Sequence, residues 1–199
     1  MALLPTSLAL WLGFGCQAAL ARHTHVAEYG QQSALTPVPL NPSLCPGAKL
    51  APQSSNLPTV RSATLCLVNQ ERALHGESPL HPNRQLTSSA ENHTREMVTH
   101  SFFSHDSPDG QSPLSRMSAC GYITDNPRIG FMVGENIAWG TYGEATPQAI
   151  VQSWIESPPH LANILNGRFR DTAIGVLAAA PSTTQPGATY TEDFGVIIR

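Results

Sequence analysis

The sequence predicts an α+β domain, because segments with helical apolar spacing come first and short alternating or β-branched segments come last. Two further observations frame that reading. Hydrophobic residues make up 41% of the 199 residues, enough to build a packed core. Prolines crowd the stretch before residue 60, ahead of the first helical pattern.

Taken in order, residues Met1 to Ala21 carry no charged side chain, and Leu8 to Phe14 form a short apolar run. Ala19-Leu20-Ala21 is a small-x-small ending followed by Arg22, so residues 1–21 read as a signal peptide cleaved after Ala21. The run is too short for an ordinary membrane-crossing helix, and no transmembrane segment is expected in the mature chain. Residues 22–60 form an extension containing Pro37, Pro39, Pro42, Pro46, Pro52 and Pro58. Proline fixes φ and removes a donor, which predicts an irregular arm rather than a long helix or central strand.

The domain is expected over residues 61–199. Leu65 and Val68, with Leu67 and Leu74, predict a helix over Ala63 to His75 that stops at Gly76. Leu86, Ala90, His93 and Met97 form one stripe of a second helix over Leu86 to Thr99. Ser112-Pro113 is an N-cap followed by proline in the first turn, predicting a helix to about Cys120 with Gly121 at its end. Thr146-Pro147 repeats that signal before Ile150, Val151 and Trp154, for a helix to about Glu156. Ala173 to Ala178 and Ala188 to Ile198 read as strands joined by a hairpin loop over Pro181 to Gly187. Phe131 to Val133 and Asn136 to Trp139 flank Gly134-Glu135, and part of this stretch reads as a strand.

With 11 basic and 14 acidic residues the formal net charge is -3, which offers nothing to attract nucleic acid. Beyond the signal segment stand Cys45, Cys66 and Cys120, an odd number that permits at most one internal bridge. A Cys45–Cys66 disulfide would staple the arm to the domain, and Cys120, late in an apolar helical segment, reads as a buried small hydrophobe.

Three segments place polar groups inside apolar frames: Phe102-Phe103-Ser104-His105, Gly134-Glu135-Asn136-Ile137-Ala138-Trp139-Gly140, and Ser157-Pro158-Pro159-His160-Leu161-Ala162-Asn163-Ile164-Leu165. Together they resemble the motifs of the CAP superfamily, the cysteine-rich secretory, antigen 5 and pathogenesis-related proteins, and most closely its bacterial SCP-like extracellular branch. Leu67 to Arg72 resembles the opening helix of that branch, Trp154 to Ser157 the segment before its second histidine, and Phe194-Gly195 its last strand. The resemblance spans about residues 60–199 and implies a three-layer α-β-α sandwich with a small, mainly antiparallel central sheet.

Members with a complete cleft carry two histidines and two glutamates. His105 and His160 match the histidines and Glu135 the first glutamate, whereas Ser157 occupies the usual place of the second. Glu156, one residue earlier, would point about 100° away on a helix. The resemblance therefore implies a cleft but not the full set of four.

Imidazole and carboxylate are ordinary zinc ligands, so His105, Glu135 and His160 are the candidate ligands for zinc or another divalent metal, with a fourth position left for water. The same residues equally suit a hydrogen-bonded polar network in a cleft floor. The functional expectation is a secreted, non-enzymatic binding module whose partner is a small lipid, sterol or cell-envelope ligand. The alternative is a metal-dependent extracellular hydrolase of peptidase type, which would need a general base that no further carboxylate clearly supplies. Asn69 and Arg72 are expected to anchor the first helix, Asn163 to tie down the chain after His160, and Trp139 and Trp154 to serve as core anchors. Ser107 to Gly110 reads as a turn, and Asn92-His93-Thr94 matches a glycosylation pattern inside a helix candidate.

Overall fold

A computed structural model describes residues 39–126 and 128–198. The expected signal segment and the start of the arm lie outside the described residues. The described arm, up to Asn56, is irregular apart from a 3-10 turn at Pro42–Leu44. It is tied to the domain at three points. Cys45 is bonded to Cys66, with Cα atoms 5.6 Å apart. Gln70 bridges the Asn41 backbone from both sides, and the Gln148 N–H donates to Ala48 O at 2.9 Å.

Helix α1 spans Leu57–Leu74 and starts earlier than its apolar spacing suggests, because Pro58 sits in its first turn, where the missing N–H costs nothing. Gly76, at φ +76°, supplies the expected stop. A two-residue strand β1, His81–Pro82, leads into helix α2, Arg84–Thr99, capped by Asn83 through the N–H groups of Gln85 and Leu86. Helix α3, Pro113–Ala119, is capped by Ser112, and helix α4, Pro147–Glu156, by Thr146, as their proline signals predict. Strand β2, Gly130–Thr141, runs unbroken through Gly134. Helix α5, Pro158–Ile164, follows Ser157, and strands β3, Asp171–Leu177, and β4, Gly187–Ile198, complete the chain.

The sheet order is β1-β3-β4-β2, with β1 parallel to β3 and the other pairs antiparallel. On one face Ile174, Val176, Tyr190 and Phe194 pack with residues of α1, α4 and α5 into the larger core. On the other, Ala173 packs with Leu86, Ala90, Met117 and Tyr122. This is the α-β-α layering. The helix α2 backbone presses close to the sheet, since a Cβ on Gly175 would fall 2.4 Å from Ala90 O. The hydrogen bond from Thr94 Oγ1 to Thr191 Oγ1, at 2.8 Å, fixes the same contact.

Two side chains are less buried than their sequence context suggests. Cys120 is a free thiol as expected, but it is half-exposed because it forms the C-cap of α3 rather than lying within the helix. Trp154 is a core anchor at 1% exposure, whereas Trp139 is 38% exposed near the end of an edge strand. Among the described residues, no helix is long and apolar enough to cross a membrane.

Candidate functional site

Edge strand β2 supplies the centre of the site. Alternation along the strand sends Glu135 towards α2 and α3 and Asn136 towards α5. The Glu135 side chain is 2% exposed, and both oxygens are engaged: Oε1 lies 2.8 Å from His105 Nδ1, and Oε2 accepts from Arg116 Nη2 at 2.7 Å. His105 is itself 48% exposed, so its ring leaves the carboxylate and reaches outward.

The loop bearing His105 is fixed from α2. His93 Nε2 lies 3.0 Å from Ser104 O, and Ser107 Oγ donates to Glu96 Oε2 at 2.6 Å. Beyond it the expected turn closes through Gly110 N–H to Ser107 O at 2.8 Å, with Gly110 at φ +87°. Arg116 is anchored in turn by its bond from Nη1 to Gln111 O at 3.0 Å.

His160 arrives from α5. Asn136 Nδ2 donates to His160 O at 3.1 Å, and Asn163 Nδ2 bonds Glu135 O at 3.2 Å and Asn136 Oδ1 at 2.9 Å. Asn163 thus ties down this segment as expected and also covers an outward carbonyl of the edge strand. The approach is close, because a Cβ on Gly134 would stand 3.0 Å from Asn163 Oδ1. Arg72 secures the far end of α5 by donating to Ile164 O and Asn166 O, and Asn69 exchanges two hydrogen bonds with the Leu80 backbone. Both anchor α1, as the sequence suggests.

Burial, and then the neighbouring His105, lower the pKa of His160 below the ordinary histidine value, so its imidazole is neutral at pH 7. Its Nδ1 is buried without a hydrogen-bond partner. The two histidines and Glu135 therefore share one neighbourhood, but not as three free ligands. Among the described residues, no three His, Cys, Asp or Glu side chains stand where they could hold one metal ion. Glu135 is committed to His105 and Arg116. Ser157 occupies the N-cap position of α5, without a side-chain capping bond, in the place of the second glutamate, and exposed Glu156 accepts from Gln152 Nε2 at 2.9 Å.

Two residues that the sequence reading passed over complete the environment. Arg116 is the countercharge of Glu135. Asp193, fully buried, lies directly across from Glu135 in the β2–β4 register. Burial, reinforced by the Glu135 charge, raises its pKa well above the carboxylate range, with a hydrogen bond from Ser89 acting in the opposite direction. Glu192, on the opposite face, is likewise raised by burial. Burial and then the Asp193 charge push the Cys120 thiol up, which suppresses its thiolate.

The model of the cysteine-rich secretory protein family, CAP, matches residues 65–190. The chain belongs to the CAP family. The protein YkwD of Bacillus subtilis is 33% identical over 119 residues, covering 60% of this chain and 43% of its own length, so this chain spans less than half of that relative. Among solved structures, an extracellular SCP-domain protein of Bacillus anthracis is similar at a TM-score of 0.54 and 24% identity, covering 74% of this chain and 44% of that one. An outer surface protein of Borrelia burgdorferi is similar at a TM-score of 0.53 and 16% identity, covering 66% of this chain and 87% of that one. Both likenesses concern the CAP fold.

Proposed function

We propose that this CAP chain is an exported binding module that takes a small lipid, sterol or cell-envelope ligand over the surface that carries His105 and His160, without transforming it. One observation carries the reading: both oxygens of Glu135 are bonded to neighbouring side chains. A carboxylate held in that way orients His105 through Nδ1 and is spent as a general base. Ser157 supplies no second carboxylate. What remains for a ligand is a pair of imidazoles.

The same arrangement does not fit a zinc of the usual protein type, which takes three or four protein ligands. His105 and His160 provide two, and Glu135 suits an outer partner of His105 better than a ligand. Binding of a divalent ion by the two imidazoles alone is the lesser reading, supported by the neutral His160 ring.

The test is equilibrium binding to lipid vesicles, sterol-containing vesicles and cell-wall fragments, with wild type and His105→Ala. Saturable uptake of one class, weakened at least tenfold by the substitution, is expected. No uptake of any class, or uptake indifferent to His105, refutes the reading. Chelator-sensitive peptide hydrolysis abolished by Glu135→Ala would establish the hydrolase instead. Export predicts a mature N-terminus at Arg22, read by N-terminal sequencing.

A further inference from the structure

The Cys45–Cys66 bridge joins a buried residue to an accessible one. Cys45 is 1% exposed within the larger core, whereas Cys66 is only partly buried against it. Cys66 also lines an open surface groove of about 370 Å³, together with Pro46, Pro58, Thr59 and Ser62. Its sulfur lies 3.7 Å from the carbonyl oxygen of exposed Leu44. A thiol in solution therefore approaches the bridge from the Cys66 side. Thiol–disulfide exchange depends on that access, and exposed bridges are the labile ones.

The arm has little else to hold it. Leu44 and Leu50 are 67% and 42% exposed, and Leu40 is partly buried. The two arm side chains that do enter the core, Cys45 and Ala48, are small. Apart from the bridge, hydrogen bonds between Asn41 and Gln70 and between Ala48 and Gln148 link residues 39–50 to the helices. So modest a burial must offset the conformational entropy of ordering the whole segment. Without the covalent link that balance moves towards the free chain, and the arm becomes a unit that opens on its own.

We propose that the Cys45–Cys66 bridge is a redox latch, opened at Cys66 by an external thiol while the domain stays folded. A thiolate attacks Cys66 Sγ, the S–S bond breaks, and the electron pair leaves on Cys45 Sγ, which takes up a proton. A second thiolate attacks the outer sulfur of the mixed disulfide and releases Cys66, which is protonated in turn. The protein disulfide is reduced by two electrons, and the two external thiols are oxidised to one disulfide. Residues 39–50 then lift from α1 and α4. Opening uncovers Thr59 and Ala63, against which Gly47 packs so closely that a Cβ there would stand 2.8 Å from Thr59 Cγ2. It also frees the Gln148 N–H in the first turn of α4, now bonded to Ala48 O.

The experiment incubates the folded protein with dithiothreitol in the absence of denaturant, quenches by alkylation, and follows Cys45 and Cys66 by peptide mass spectrometry, with Cys120 read separately. Both bridge cysteines are expected to become alkylated while near-UV circular dichroism shows the domain still folded. Amide hydrogen exchange of the reduced chain should then be at least tenfold faster at Cys45, Ala48, Leu50 and Gln148, and unchanged in β3 and β4. Ser62→Trp, on an exposed position of α1 beside the groove, should slow reduction at least fivefold; Ser62→Leu serves if the larger side chain prevents folding. The proposal is overturned by a bridge that resists dithiothreitol until the domain unfolds in urea, by a reduced arm that keeps its amide protection, or by groove variants reduced as fast as wild type.

Discussion

Replacing Arg116 by methionine isolates the claim that Glu135 is support rather than free chemistry. The guanidinium and the carboxylate are 6% and 2% exposed and meet at 2.7 Å. Two charges about 4 Å apart at an effective dielectric of about 20 attract by about 4 kcal/mol. Methionine keeps most of the apolar stem but leaves a buried carboxylate short of its partner, which ordinarily costs about 3–5 kcal/mol. The half-exposed His105 remains beside Oε1 and recovers part of that loss, so Arg116→Met should destabilise by about 2–4 kcal/mol. Urea unfolding of wild type, Arg116→Met, Glu135→Gln and the double variant closes the cycle. The double variant should lose much less than the sum of the single losses, because the neutral amide that replaces the carboxylate no longer needs a countercharge. A loss under about 1 kcal/mol for Arg116→Met, or additive single effects, would refute the buried clamp and return Glu135 to the pool of available ligands.

Two further outcomes follow from the fold. Removing the Cys45–Cys66 bridge as a double alanine variant opens a loop of 21 residues and should cost about 3 kcal/mol, read as a lower urea midpoint with the arm more susceptible to protease; an unchanged midpoint would show that the Gln70 and Gln148 contacts suffice alone. Glu192 has its pKa raised by burial, so at low pH both folded and unfolded chains are protonated there; as pH climbs past about 4 the unfolded chain ionises first and stability falls until the folded group follows. Glu192→Gln removes that loss while its amide oxygen still accepts from Thr172 Oγ1, so its melting-temperature advantage over wild type should grow from about pH 4.5 to pH 8, and a pH-independent difference would sink the argument.

What could be read from the residues was local. Ser112-Pro113 and Thr146-Pro147 announced α3 and α4 because capping and a fixed φ act within one turn. Ser157-Pro158 carries the same signal, and α5 follows it. Gly134 does not break β2, and Asn163 and Phe169 come within about 3 Å of where a Cβ would stand there, a closeness that arises only in the folded chain. The motif residues His105, Glu135 and His160 were identifiable, but their roles were not. Arg116 sits in a seven-residue helix with no pattern to mark it, and Asp193 becomes a neighbour of Glu135 only once β4 pairs with β2 in register. A motif specifies which atoms are present; the partners supplied by distant segments decide whether those atoms are free. In this CAP chain the carboxylate that most resembles a ligand is occupied on both oxygens by its neighbours, and the exposed chemistry passes to the His105 imidazole that it holds.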